Sequence, residues 1–347
     1  MLALIEKLER EGVLTESEFV SLIEGRQEKY AAVLAEKAVN AREKYYGRDV
    51  FIRGLIEFTN YCKNDCFYCG IRRSNKNTCR YRLSEEEILS SCERGYSLGF
   101  RTFVLQGGED PYFTPERIKN LIVKIKSRFP DCALTLSVGE KPYEVYKEWY
   151  DAGADRYLLR HETADEKHYS LLHPASLSLK SRKQCLYDLK KIGYQVGCGF
   201  MVGSPHQTSK EIAKDLLFIK EFSPDMVGIG PFIPQKDTPF KDEKRGSMDM
   251  TLYLLSIIRL MLPSVLLPAT TALQTIDEKG LQKGLLAGAN VCMPNISPKE
   301  AKERYVLYDG KFSGGDEIET NLIELHKKLN AIGYNINPSR GDRRKEV

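Results

Sequence analysis

Three cysteines, Cys62, Cys66 and Cys69, stand together in the string Asn60-Tyr-Cys-Lys-Asn-Asp-Cys-Phe-Tyr-Cys-Gly70. Their spacing is C-x3-C-x2-C. Three thiolates on one short loop can hold three irons of a [4Fe–4S] cluster, whereas full thiolate ligation takes four cysteines. No fourth cysteine lies nearby at a regular spacing. One iron is then left open, and an open coordination site is where chemistry takes place. Structural zinc prefers a closed set of four ligands, usually two C-x2–4-C pairs, and no second pair exists here. A disulfide framework fits less well still. Nine cysteines is an odd number in a long chain, and the first ten residues read as a charged amphipathic helix rather than an export signal.

The cysteine string resembles the signature of the radical S-adenosylmethionine (SAM) superfamily. The resemblance implies that the open iron chelates the amino and carboxylate groups of SAM. An electron from the cluster then splits the sulfonium to give a 5′-deoxyadenosyl radical. Tyr68 matches the aromatic that such loops pack near adenine.

Other strings carry groups suited to that ligand. Gln106-Gly-Gly-Glu109 ends an apolar run, and paired glycines let the backbone approach a ligand closely. In the family a Gly-Gly-Glu string at this place binds the SAM amino group, which assigns Gln106, Gly107, Gly108 and Glu109; the alternative is an ordinary turn with a solvated acid. Glu162, in Arg160-His-Glu-Thr163, is a carboxylate suited to two ribose hydroxyls. Arg182 has a fork that can clamp a carboxylate bidentately, or it is a surface helix charge. Ser137, at another strand end, joins the cofactor set. So does Met201, in a glycine-flanked apolar stretch (197–203) suited to adenine or to tight strand packing. His161 is either a proton donor or a hydrogen-bonded core residue. Cys198 is by default a buried apolar residue. No catalytic side chain is expected beyond the cluster and the SAM site.

These strings must be positioned by something regular. Short apolar runs at 51–58, 101–106, 132–138, 155–160, 194–201, 226–230, 265–270 and 289–293 read as strands. Helical patterns fall between them near 84–98, 114–128, 142–152, 179–192, 208–222, 249–262 and 276–287, and one helical segment covers 15–46. Ser84 and Thr114-Pro115 carry helix-start chemistry, and Gly99, Gly153, Gly193 and Gly288 fall where C-cap glycines belong. Alternating strands and helices argue for a parallel sheet, and eight units argue for an α/β protein with a closed (β/α)8 TIM-type barrel. The expected organisation is an N-terminal helical extension (1–48), the barrel (49–310), and a C-terminal helical extension and tail (311–347). In such barrels active sites lie at the C-terminal strand ends, where the polar strings above all fall.

Thr135, Arg156, Arg160, Thr270 and Thr271 are polar residues on strands or their ends, unlike the branched apolar filling of a plain barrel. Alternation puts Arg156, Leu158 and Arg160 on one face. Helices cover the outer face, so the arginines are expected to point inward, and a buried guanidinium demands an anionic partner. Bulk composition excludes other classes. Hydrophobic residues are 42%, charged residues 29%, and the net charge is +4. That balance gives no reason to expect nucleic acid or a membrane as partner, and reduced thiols point to the cytoplasm.

From about residue 50 to 310 the chain resembles one branch of the superfamily: biotin synthase, methylornithine synthase and the HydE family of [FeFe]-hydrogenase maturases. The HydE family matches best, on Phe58-Thr-Asn-Tyr-Cys62, Gly70 to Asn77, Arg80-Tyr-Arg82, Leu105 to Tyr112, Gly153 to Ala164, Asp225 to Pro234, Pro268 to Ala272 and Gly288 to Asn295. It implies a mononuclear iron substrate bearing cysteine, carbon monoxide and cyanide, used in building the diiron subcluster. It also implies a low-potential electron donor and other hydrogenase maturases as partners. Arg156, Thr270, Thr271, Met293, Tyr305 and Tyr308 match positions lining the substrate cavity. No cysteine follows Cys292, so the second, C-terminal cluster of some members is expected to be absent. Gln235-Lys236 replaces the His-Pro that relatives can carry. The alternative is a methylornithine-synthase-like or biotin-synthase-like enzyme acting on an amino acid or other small molecule.

Overall fold

The computed structural model describes residues 1–312 and 317–344. Its centre is a ring of parallel strands. The first barrel position holds β1 (Asp49–Ile52) and β2 (Gly54–Thr59), interrupted at Arg53. There follow β3 (Thr102–Gly107), β4 (Ala133–Ser137), β5 (Arg156–Leu158), β6 (Gln195–Cys198) with its continuation β7 (Met201–Val202), and β8 (Met226–Val227) with its continuation β9 (Gly230–Pro231). β10 (Val291–Cys292) occupies the eighth position. The pairing order β2-β3-β4-β5-β6-β8 follows the chain. Single bridges Met226–Leu266 and Pro268–Val291 carry it past the seventh position, and β10 pairs with β1 to close the ring.

Two expectations about strands need correction. The seventh strand (265–270) is present only as isolated bridges. The fifth and sixth runs are each split, because two strands approach unusually closely there. A Cβ on Gly199 would lie 2.0 Å from the Gly228 carbonyl oxygen, so only glycine permits the crossing.

Helices α1 (Leu2–Glu11), α2 (Glu16–Glu24) and α3 (Glu28–Tyr46) form the N-terminal extension; α2 rests on the barrel helix α9 (Ser209–Phe222), and the stretch read as one helical segment breaks at Gly25. The outer layer before α9 is α4 (Glu85–Ser97), α5 (Pro115–Arg128), α6 (Tyr143–Asp151), α7 (Glu166–Leu172) and α8 (Leu179–Ile192). After α9 come α10 (Met248–Met261), α11 (Thr271–Ile276), α12 (Gly280–Leu286), α13 (Lys299–Arg304) and α14 (Ile318–Asn330). Local chemistry sets these bounds as expected. Ser84 and Glu87 form a capping box on α4, Thr114 caps α5 ahead of Pro115, and Gly193 ends α8 in a left-handed conformation. Tyr157 lies on the outer face of β5, its ring against Tyr146 of α6, as alternation requires.

The C-terminal extension is not purely helical. After α14 the chain forms β11 (Asn335–Asn337), which pairs in parallel with β1. Residues 338–344 then cross the N-terminal end of the barrel. The Arg340 carbonyl accepts from Thr102 (2.7 Å) and Arg156 (2.9 Å), while Asp342 meets Arg156 (2.6 Å) and Gln195 (2.8 Å). These partners are the first residues of β3, β5 and β6, so the tail forms the barrel floor. Residues 313–316 and 345–347 of the expected extension lie outside the described residues. No helix among the described residues is long and apolar enough to cross a membrane.

Candidate functional site

The cysteine loop leaves β2 at the barrel mouth, and the residues after it form its frame. Arg80 spans the loop: Nη1 donates to the carbonyls of Asn60 and Ile71, and Nη2 to those of Arg72 (2.6 Å) and Asn75 (3.2 Å). Asn60 ties the loop's start to the carbonyls of Cys79 and Arg304 (both 2.9 Å). Asp65 takes Arg72 and Ser74, which holds its carboxyl down at about 2, the bonds outweighing burial. Gly70 is needed because a Cβ would lie 2.1 Å from the Val306 carbonyl.

Cys62, Cys66 and Cys69 are free, half-buried thiols on this frame. Burial, with the Cys62 sulfur adding to it, pushes the Cys66 thiol up to about 12; burial and the two neighbouring sulfurs push Cys69 higher. Three crowded sulfurs are costly as bare thiolates and are satisfied by a cationic group between them, which deprotonates coordinating thiols. Among the described residues no three His, Cys, Asp or Glu side chains converge where one ion could sit. A cuboid cluster needs no such convergence, because each thiolate takes a different iron. The donor set therefore fits a [4Fe–4S] cluster.

Around this loop the structure gathers most of the expected cofactor residues. Tyr68 stands beside Cys66, and its hydroxyl meets His173 Nε2 at 3.2 Å. His173 Nδ1 donates to the Tyr169 carbonyl (3.0 Å), so Nε2 accepts from Tyr68. Tyr68 also packs on the small apolar cluster of Met201, Leu172 and Phe232. Arg182 and Glu162 both act electrostatically on the Cys66 thiol. Arg182 is buried, so it is not a surface helix charge; its Nε lies 2.8 Å from Glu140, whose other oxygen accepts from Ser181. Arg160 Nη2 is 3.0 Å from Glu162 Oε2, but neither atom makes an aligned hydrogen bond. Ser137 ends β4 at the same rim, half-exposed.

The Gly-Gly-Glu string is shaped by packing. A Cβ on Gly108 would lie 2.2 Å from the Tyr61 carbonyl, and one on Gly107 would lie 2.7 Å from Thr59. The Glu109 carboxylate is not a solvated acid: it accepts from Asn64 (2.9 Å) and the Glu140 amide (3.1 Å), and Lys63 lies at 3.2 Å. It ties the cysteine loop to the loop after β4. Both hydrogen bonds fall on Oε1, and Oε2 faces an ammonium group, that of the exposed Lys63.

The expected substrate residues separate by depth. Tyr305 is buried with Gln106 beside it, and Tyr308 has Thr275 beside it; both tyrosines lie on a strap of residues 305–312 across the mouth. The strap is held by the Gly70 amide on the Leu307 carbonyl (2.9 Å) and the Asp309 amide on the Pro234 carbonyl (3.1 Å). Thr271 and Met293 line a cavity of about 110 Å³ with Glu57, Gln274, Asn295 and Lys311. Thr135 Oγ1 and Thr270 Oγ1 are buried without a partner among the described residues. Arg156 does point inward, but it sits at the floor and its anionic partner is the chain's own Asp342, so its assignment to substrate is corrected. His161 is buried against Asp215 and is a core residue rather than a proton donor. Cys198 is buried and apolar in setting, as expected.

Sequence reasoning missed two inward charges. Arg53 is 1% exposed, with Nε and Nη2 unpartnered among the described residues. Glu57 is fully buried, accepting from Lys311 (2.5 Å) and Asn295 (2.7 Å). Each is a charge inside an apolar run, the signal that had singled out Arg156.

Comparison with known proteins agrees with this geometry. The family model for the radical SAM superfamily matches residues 56–219. The chain is 45% identical over 332 residues to the [FeFe] hydrogenase maturase subunit HydE of Thermotoga maritima, covering 95% of this chain and 94% of that one. It is 31% identical over 323 residues to 3-methylornithine synthase of Methanosarcina acetivorans, covering 92% and 89%. The crystal structure of methylornithine synthase (PylB) superposes with a TM-score of 0.84 at 26% identity, covering 96% and 97%. The chain belongs to the radical SAM superfamily. Within it, the protein is a radical SAM enzyme homologous to the hydrogenase maturase HydE.

Proposed function

We propose that this enzyme acts on a mononuclear iron species bearing cysteine, carbon monoxide and cyanide, in assembly of the [FeFe]-hydrogenase diiron subcluster. The observation that carries the reading is the set of unsatisfied donors inside the barrel: Arg53 Nε and Nη2, Arg160 Nε, Thr135 Oγ1 and Thr270 Oγ1. Buried donors without partners cost free energy, and an anionic, cyanide-bearing ligand answers them. An amino-acid substrate, as in 3-methylornithine synthase, is the second reading, favoured by the close superposition. Its carboxylate answers one arginine, while its ammonium group adds a positive charge to the same donor-rich interior.

In this reading Cys62, Cys66 and Cys69 hold the cluster. When bound, the cluster and SAM supply one-electron cleavage of the sulfonium to an adenosyl radical. Arg182 receives the SAM carboxylate, exchanging Glu140 for it. Backbone acceptors of Gln106, Gly107 and Gly108, beside Ser137, receive the ammonium, while Glu109 keeps the rim rigid. Glu162 takes the ribose hydroxyls, and Tyr68 and Met201 flank the adenine. Tyr305, Tyr308 and Lys311, on the strap, exclude water from the cavity, Thr271 and Met293 line it, and Arg160 stands beside Glu162. A low-potential donor supplies the electron, and other maturases receive the product, in the reducing cytoplasm that free thiols require.

The test is anaerobic reconstitution with SAM and dithionite, followed by EPR and chromatography, then addition of the cysteine-bound iron species. A [4Fe–4S]+ signal that shifts with SAM, adenosyl products lost in Cys66→Ala, and substrate-dependent product formation support the proposal. Turnover of an amino acid with none of the iron species would overturn its substrate.

A further inference from the structure

Glu162 has φ +66°, a left-handed backbone that a long side chain adopts only when its surroundings impose it. The imposing group is a carboxylate in the outer helix layer. Asp215 of α9 is fully buried. Its Oδ1 accepts from the Ala164 amide (2.5 Å), two residues after Glu162, and from the His161 ring (3.2 Å), one residue before it. His161 Nδ1 accepts the Gly199 amide (3.3 Å), so its proton is on Nε2 and is donated to Asp215. Glu162 itself is bonded through its amide to the Gly199 carbonyl (3.0 Å) and through its carbonyl to the Met201 amide (3.3 Å). One carboxylate therefore grips the chain on both sides of the strained residue, and the fifth barrel strand grips the residue itself. Burial raises the Asp215 carboxyl and lowers the His161 imidazole.

His161 faces Phe218 and Phe200 on the helix side, at ring separations of 4.8 and 6.1 Å, and does not reach the mouth. Neither it nor Asp215 is in a position to touch a ligand, yet both are fixed on the backbone that aims Glu162.

We propose that Asp215, acting through His161, is a positioning residue for SAM: it locks the left-handed backbone of Glu162 and so directs the carboxylate that meets the ribose hydroxyls. The proposal rests on the reading of Glu162 given above. Without the clamp, Glu162 relaxes to ordinary negative φ and its carboxylate swings off the ribose. SAM binding then weakens while the cluster, held by a different loop, is retained.

The experiment compares cluster-loaded Asp215→Leu, Asp215→Asn and Glu162→Gln, titrating SAM against the EPR shift and measuring iron content and the KM and kcat of SAM cleavage. Asparagine keeps the Oδ1 acceptor that both clamp bonds use, so Asp215→Asn is expected to bind SAM as the parent does. Asp215→Leu is expected to raise Kd and KM about tenfold, equivalent to ~1.4 kcal/mol, with full iron content and little change in kcat. Glu162→Gln is expected to weaken SAM as well, and the Asp215→Leu/Glu162→Gln double variant to be no weaker than Glu162→Gln alone. If Glu162→Gln weakens SAM but Asp215→Leu does not, the positioning role is wrong while the reading of Glu162 stands. If Glu162→Gln leaves SAM affinity unchanged, both fall. Should Asp215→Leu fail to accumulate, His161→Phe carries the same test: it breaks one arm of the clamp, and an unchanged Kd overturns the proposal.

Discussion

Replacing Lys311 with methionine tests whether the mouth strap is fastened by charge. Lys311 and Glu57 form an ion pair at 2.5 Å with side chains 9% and 1% exposed. Solvent screening is therefore weak, and removing one partner leaves a buried carboxylate whose remaining side-chain bond is from Asn295. Breaking such a pair costs about 3–5 kcal/mol. At about 2 °C per kcal/mol for a chain of this size, Tm should fall by about 6–10 °C. Burial raises the Glu57 pKa, and Lys311 counteracts that; without Lys311 the pKa rises further. A raised folded-state pKa means that stability is fully present below the unfolded value of 4.5 and is lost as pH rises through the folded value. The variant should therefore approach the parent in acid and fall behind above that range. Anaerobic thermal melts of both proteins from pH 4 to 8 measure this, with Lys311→Met/Glu57→Gln as the second arm of the cycle. A loss under about 1 kcal/mol, no dependence on pH, or a double variant no better than the single one would refute the argument.

Other perturbations separate the roles of the remaining charges. Arg80→Ala should lower iron retention several-fold, because four carbonyls of the cysteine loop lose their donor; Arg80→Lys, with no fork, should recover little of it, as iron assay after gel filtration would show. Asp342→Ala should destabilise by about 1–2 kcal/mol, less than a fully buried pair because Asp342 is 42% exposed, and a denaturant midpoint measures it. If the proposed iron species is the substrate, Arg160→Gln should weaken its binding more than that of SAM, read as a Kd for that species rising about tenfold with SAM cleavage retained.

How much of this was legible in the chain depended on distance along it. The cysteine motif, the capping box at Ser84 and the C-cap glycines are local, so spacing revealed them. The barrel followed from counting alternating runs, since closure needs only regular units. What failed was non-local. Nothing near Arg156 announces Asp342, 186 residues later, as its partner. Nothing near Glu57 announces Lys311, 254 residues away. A strand at 335–337 is too short to show alternation, and it exists because β1 offers it an edge at the barrel floor. The Gly-Gly-Glu string is legible as a motif, but the Glu109 partners Asn64 and the Glu140 amide come from two other loops.

The same C-terminal segment closes both ends of the barrel, and it does so with charge. Among the described residues, Arg53, Glu57, Arg156 and Arg160 are charged side chains on the strands or their ends that face the interior. The mouth strap brings Lys311 to Glu57, and the floor tail brings Asp342 to Arg156. Each contribution has the sign that its strand residue requires, so the segment neutralises the two ends of the cavity. Arg160 has only a poorly aligned contact with Glu162, a carboxylate that SAM is proposed to claim. Arg53 has a methionine sulfur at 2.8 Å and no carboxylate among its hydrogen-bond partners. The interior is thus left with surplus positive charge, and the buried hydroxyls of Thr135 and Thr270 have no partner among the described residues. In a low-dielectric interior that surplus is not tolerated without an anion. A cationic substrate would add to it, whereas the anionic ligand proposed above would complete the pattern that the strap and tail begin.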